Sequence, residues 1–231
     1  MLDQLKERVL QANLDLVKHG LVIHTWGNVS GRDEDSGLVV IKPSGVSYDV
    51  MKRSDMVVID TDGKVVEGKF RPSTDAPTHL LLYKAFSSLG GIVHMHSTYA
   101  TSWAQAGRSI PPFGTTHADH FNGEVPCTRL LTDEETEKDY EVNTGKVIVE
   151  KIGINDPLNV PSVLVNCHGP FCWGKDPENA LYNAVALEEI SRMAFYTVLL
   201  GKSEPADKSL LKKHFRRKHG KDAYYGQGKS S

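Results

Sequence analysis

The chain has 231 residues, is 39% hydrophobic and 24% charged, and carries a formal net charge of -2. That length supports one sizeable hydrophobic core. The near-balanced charge excludes a molecule drawn as a whole to nucleic acid or to an anionic membrane surface. No apolar run approaches a membrane span, and the acidic, charge-alternating start is unlike a signal peptide. Cys127, Cys167 and Cys172 are an odd, sparse set, so free thiols in a reducing cytoplasm are expected rather than a disulfide framework. With no internal repeat and no long Pro/Gly/Ser-rich linker, residues 1–231 read as one domain.

Leu2, Leu5, Val9, Ala12 and Leu16 recur at helical spacing, and His19-Gly20 is a plausible stop. Leu21 to Ile23 then predict a strand reaching Trp26-Gly-Asn-Val-Ser30. Its internal glycine marks either a bulge or a close approach to the backbone. Val39 to Lys42 is a second strand. It leads into Pro43-Ser-Gly45, which is either an ordinary turn or an anion site made of a cation, a hydroxyl and backbone N–H groups. Val57 to Ile59 and Lys64 to Val66 flank Thr61-Asp-Gly63, a hairpin signal.

Ser73, Thr74 and Asp75 are all N-cap types, and Pro77 suits a first turn. The helix they open is expected to run through Leu81, Tyr83 and Phe86 to about Ser88. Capping accounts for one of the three polar residues. The others suit a phosphate at the helix N-terminus, with Asp75 placed to serve as an oxygen ligand.

Gly91-Ile-Val-His-Met-His-Ser97 reads as a short buried strand. Alternation sends His94 and His96 to the same face, where two imidazoles can chelate a transition metal. Two unconnected histidines are the plainer alternative. Ser97 can cap a helix running through Trp103 to Gly107. Pro111 to Asp119 is too polar for a core element, and His117 and Asp119 are candidates for chemistry or for a solvated loop. Glu134, Glu135, Glu137 and Glu141 begin or line a helix with a wet face.

Val163 to Val165 predicts a second strand that ends at Asn166-Cys-His168-Gly-Pro170. A third imidazole there invites a three-histidine or three-histidine-plus-aspartate site. Cys167 would face away from His168 as a buried thiol. Asp176-Pro-Glu178 starts a long helix with Ala180, Ala184, Leu187 and Ile190 on one stripe, for core and subunit packing. The basic stretch from Lys208 to His219 is a solvated helix or one that steers phosphate. Tyr224-Tyr225 is an aromatic pair expected to dock somewhere.

Trp26-Gly-Asn-Val-Ser30, Lys42-Pro-Ser-Gly45, Pro72-Ser-Thr-Asp75, His94-Met-His96, Thr115-Thr-His-Ala-Asp119, His168-Gly-Pro170, Arg217-Lys-His-Gly220 and Tyr224-Tyr-Gly-Gln227 together resemble the class II aldolase/adducin family. Within it they resemble the branch that epimerises L-ribulose 5-phosphate at C4. The resemblance runs from the first helix to Gln227.

It implies a single α/β domain with a central, mostly antiparallel sheet flanked by helices, assembled as a cyclic homotetramer with active sites between subunits. It implies one Zn²⁺ per subunit on Asp75, His94, His96 and His168. Contacts to the sugar phosphate would fall on Gly27, Asn28, Lys42, Ser44, Gly45, Ser73 and Thr74. The acid/base pair would be Asp119 and Tyr225, delivered from the adjacent subunit with the tail, and supported by Thr115, Glu141, His214 and Arg217. Fuculose-phosphate-type aldolases of the family carry glutamate where this chain has Asp75. A non-catalytic adducin-like module would lack metal ligands that this chain retains.

Overall fold

The computed structural model describes residues 2–219 and 223–224. Helix α1 (Asp3–Lys18) leads to strands β1 (Asn28–Arg32), β2 (Val39–Ile41), β3 (Val57–Ile59) and β4 (Val65–Glu67). Helix α2 (Ala76–Ala85), strand β5 (Gly91–His94) and helices α3 (Thr98–Gln105), α4 (Thr115–Ala118), α5 (Asp133–Glu137) and α6 (Tyr140–Ile152) follow. Strands β6 (Ser162–Leu164) and β7 (Pro170–Gly174) and helices α7 (Pro177–Leu199) and α8 (Lys208–His219) come next, and short 3-10 turns lie at Arg53–Asp55 and Pro157–Asn159.

The strands form one sheet in the order β4-β3-β2-β1-β5-β7-β6. Each neighbouring pair is antiparallel. The expected α/β fold with a central antiparallel sheet is therefore present. Side-chain alternation sorts the apolar residues onto two faces. Val40, Val58, Val93 and Cys172 pack with α1, α3 and α7. Val39, Ile41, Ile92, Phe171 and Trp173 pack with α2 and α6. His94 and His96 share the parity of Ile92, so both belong to the α2/α6 side.

Close packing of α7 and α1 on the sheet depends on glycine. A Cβ at Gly31 would lie 2.8 Å from Pro177 Cγ and 2.9 Å from Leu5 Cδ1. One at Gly91 would collide with the carbonyl of Asp176, just ahead of α7.

Several sequence expectations change. Leu21 to Thr25 is not a strand: Leu21 and Val22 are buried, His24 takes φ +55°, and β1 begins only at Asn28. The glutamate-rich segment breaks into α5 and α6 at Asp139, which has φ +52°. Residues 111–119 are not wholly loop. They contain α4, which packs on α8 and buries His117, Ala118 and Asp119. Cys167, expected to be buried, is exposed, because its left-handed φ of +60° puts it at the tip of the β6–β7 turn. Cys127 and Cys172 are buried free thiols.

Gly91→Ala should cost roughly 2 kcal/mol or more, since overpacking against backbone leaves no flexible side chain to move aside. A urea denaturation midpoint unchanged from wild type would refute that packing argument.

Candidate metal centre and active site

Register builds the centre. Strand β5 lies between β1 and β7, and His94 pairs with Asn28 on one side and Phe171 on the other. The His94 ring stacks on Phe171 at 4.2 Å with 17° between planes. Its Nδ1 lies 3.0 Å from the Pro170 carbonyl. A carbonyl can only accept, so Nδ1 carries a proton and Nε2 is the nitrogen turned toward the other histidines. Nε2 of His94 sits 3.1 Å from Nε2 of His96.

The β6–β7 turn adds His168, with His168 N donating to Val165 O at 3.0 Å and Val165 N to Gly169 O at 2.9 Å. One nitrogen from each of His94, His96 and His168 falls within a group whose members lie within 4.8 Å of one another. Burial pushes the His96 imidazole down to about 4 and that of His168 to about 3, with His94 adding to both. Both are uncharged at neutral pH. Three clustered imidazoles beside one carboxylate are a donor set that fits a divalent transition metal.

Asp75 lines the same cavity, outside the tight histidine group. It is the N-cap of α2, yet its side chain makes no capping bond. Its Oδ2 instead accepts from Asn28 Nδ2 at 2.7 Å. Burial alone would raise its pKa, but His94, His79, Asn28 and His168 outweigh that and hold it below the usual carboxylate range. Asn28 Nδ2 also donates to Ser73 Oγ at 3.0 Å. Asn28 Oδ1 is buried and finds no partner among the described residues, which leaves an acceptor available at the cavity wall.

The cavity holds about 350 Å³ and is also lined by Trp26, Gly27, Lys42, Ser44, Gly45, Ser73 and Thr74. Two chain segments are tied together to make this wall. Ser44 N donates to Arg71 O at 3.0 Å and Ser73 N to Lys42 O at 2.9 Å. Gly45 turns with φ +70°. Lys42 is buried. Its Nζ donates to Val46 O at 2.9 Å and lies 4.8 Å from the Tyr48 ring centre. Burial lowers its pKa to about 8, so near neutral pH it is still mostly cationic.

Residues 7–195 match the family described as Class II Aldolase and Adducin N-terminal domain. The chain belongs to the class II aldolase/adducin family. It is 57% identical over 227 residues to L-ribulose-5-phosphate 4-epimerase UlaF of Salmonella paratyphi B, covering 98% of this chain and 100% of the relative. The protein of the same name from Salmonella typhi matches at the same identity and coverage. Among solved structures, an L-fuculose 1-phosphate aldolase superposes with a TM-score of 0.79 at 25% identity, over 93% of this chain and 95% of the other.

Of the other expected residues, Asp119, His214 and Arg217 form a second cluster that does not line the cavity. Asp119, buried at the end of α4, accepts from Arg217 Nε at 2.9 Å and from Arg217 Nη2. His214 Nδ1 is 3.1 Å from Oδ1, and His219 Nε2 donates to the Asp119 carbonyl at 2.9 Å. Burial would raise the Asp119 pKa, but the bonds from Arg217 and His214 lower it overall, so it is ionised. Thr115 opens α4 and accepts from Asp119 N through its carbonyl. Glu141 lies in the first turn of α6, where its carbonyl accepts from Thr78 Oγ1 at 2.5 Å. Tyr225 lies outside the described residues.

Tyr140, whose hydroxyl is 3.1 Å from His168 Nδ1, escaped the sequence reading. Nothing local in a polar helix start links it to a residue 28 positions on. Trp26, 53% exposed at the cavity and 6.5 Å from the His96 ring, was visible only as part of a motif.

The lowered Lys42 pKa predicts how anions bind here. Between pH 7 and 9 the cationic fraction drops about tenfold for a group with a pKa near 8. Calorimetric titration with inorganic sulfate, whose charge is constant across the window, should show affinity falling by about that factor, and Lys42→Met should remove the pH dependence. An affinity flat through pH 9 in wild type would place the anion elsewhere.

Proposed function

We propose that this chain is a zinc-dependent L-ribulose-5-phosphate 4-epimerase of the cytoplasm, forming D-xylulose 5-phosphate. The observation that carries the reading is the single cavity in which the three-histidine cluster and Asp75 face Lys42, Ser44 and Ser73. One wall suits a metal and the other a phosphate, so the cavity fits a short phosphorylated sugar with oxygens at its far end. The names of the relatives, matched over nearly the whole chain, supply the substrate.

The chemistry explains the parts. The C2 ketone does not acidify the proton on C4, so inversion proceeds by breaking and remaking the C3–C4 bond. The C4 hydroxyl loses its proton, the C3–C4 electron pair stays with the C1–C3 fragment, and C4 becomes the aldehyde carbon of glycolaldehyde phosphate. A Zn²⁺ held by His94, His96, His168 and Asp75 would supply Lewis acidity for the charge left on C1–C3.

Lys42, Ser44, the Gly45 amide, Ser73, Thr74 and Asn28, beside Gly27, hold the phosphate while the aldehyde turns its other face. Rebonding then gives the inverted centre. Proton removal and return on opposite faces need two groups, and Asp119 and Tyr225 fill those roles. The Asp119 cluster stands apart from the cavity in its own subunit. That placement suits delivery to a neighbouring cavity in a homotetramer, with Thr115, Glu141, His214 and Arg217 in support and the tail completing the neighbour's site.

An aldolase reading shares the first half of this chemistry. Asp75 favours the epimerase, because a short carboxylate held by Asn28 stays beside the histidines instead of reaching the reacting carbon.

A coupled assay for D-xylulose 5-phosphate should show turnover of L-ribulose 5-phosphate by the zinc-loaded protein, with little free glycolaldehyde phosphate. Release of both fragments as the main products would establish an aldolase instead. Mixing a His96→Asn chain with a Tyr225→Phe chain, each inactive alone, should recover part of the activity. No recovery despite confirmed subunit exchange would show that metal and acid/base groups act within one chain.

A further inference from the structure

We propose that Tyr140 is a positioning residue for the metal centre, with its phenol oxygen accepting the Nδ1 proton of His168 and aiming Nε2 at the cation. The proposal rests on the metal reading given above. The Tyr140 hydroxyl lies 3.1 Å from His168 Nδ1, and the two rings are tilted by 31°. When Nε2 of His168 faces a cation, Nδ1 must carry the proton, and the phenol oxygen can only accept it.

The local backbone holds Tyr140 in place. It is the first residue of α6, directly after the left-handed Asp139 at φ +52°. Thr144 Oγ1 donates to the Tyr140 carbonyl at 2.9 Å. Thr78 Oγ1 donates to the next carbonyl, that of Glu141, at 2.5 Å. Thr78 belongs to α2, the helix that Asp75 caps. The tyrosine behind His168 and the carboxylate beside it are therefore fixed by one pair of packed helices.

The chemical type of the partner matters as well as its position. His94 donates to a peptide carbonyl and His168 faces a phenol, so both outer partners are neutral oxygens. A carboxylate in either place would make the imidazole a stronger donor and reduce the Lewis acidity of the cation. Neutral partners leave Asp75 as the one anionic side chain in the proposed ligand set.

The test uses the full chain and reads the metal directly. Metal-free wild type and Tyr140→Phe are titrated with Zn²⁺ against a competing chelator, and with Co²⁺ while the visible absorption is followed. Loss of an outer-shell partner predicts zinc binding about 10- to 100-fold weaker in Tyr140→Phe and a shifted Co²⁺ spectrum. The thermal midpoint of the metal-free protein should stay unchanged.

Equal zinc affinity and an identical Co²⁺ spectrum in the two proteins would overturn the proposal while leaving the metal reading intact. Failure of wild type to bind either metal would overturn both. A Tyr140→Phe chain that did not fold would show that the hydroxyl serves the fold and not the metal, and would overturn the proposal as well.

Discussion

The site depends on the antiparallel pairing of β5 between β1 and β7. That register places His94 opposite Asn28 on one side and opposite Phe171 on the other. Asn28 then holds Asp75, and Phe171 stacks on the ring of His94. A slip of one residue would turn His94 and His96 to the α1/α7 side of the sheet and destroy the cluster. Burial on both faces specifies the register, because Val93 and Ile92 each have a different apolar cluster to join. The packing that stabilises the fold is thus the same constraint that aligns the three clustered histidines.

Electrostatics divides the molecule into two stations. In the cavity, desolvation strips charge from His96 and His168, while His94, His79 and the hydrogen bond from Asn28 hold Asp75 below the usual carboxylate range. The result is two uncharged imidazoles, His96 and His168, close to one ionised carboxylate, an environment suited to a cation. On the far side of the cavity Lys42, buried beneath its own loop, has its pKa lowered to about 8 and is still mostly cationic near neutral pH. At the second station Asp119 docks α8 onto α4 through Arg217 and His214. That ion pair is largely removed from water, so it fixes the position of the tail helix more firmly than an exposed pair could.

Backbone strain gathers at the same place. Of the four non-glycine residues with positive φ among the described residues, Asp139 precedes Tyr140 and Cys167 precedes His168. A third, His24, lies two residues before Trp26 at the cavity mouth. Such conformations cost about 1 kcal/mol or more each and persist where surrounding contacts over-determine them. Tyr48 supplies some of those contacts, its hydroxyl donating to the carbonyls of Gly27 at 2.8 Å and Trp26 at 3.2 Å.

Local pattern in the sequence determined most of the elements and the identity of the histidines. The Thr61-Asp-Gly63 turn revealed the β3–β4 hairpin, helical spacing the long α7, and strand alternation the shared face of His94 and His96, because those signals involve near neighbours along the chain. The family motifs likewise named the cavity residues, from Asn28 to His168. Tertiary structure decided whatever required distant segments to meet. It turned Leu21 to Thr25 into a loop held at its ends, exposed Cys167, and released Asp75 from capping into a bond with Asn28. It also set Tyr140 against His168, and it placed Arg217 on Asp119 across 98 residues of chain. Sequence periodicity reports which face of an element is buried. Only the assembled sheet and its helices fix which groups from other elements share that burial, and that juxtaposition sets both charge state and geometry.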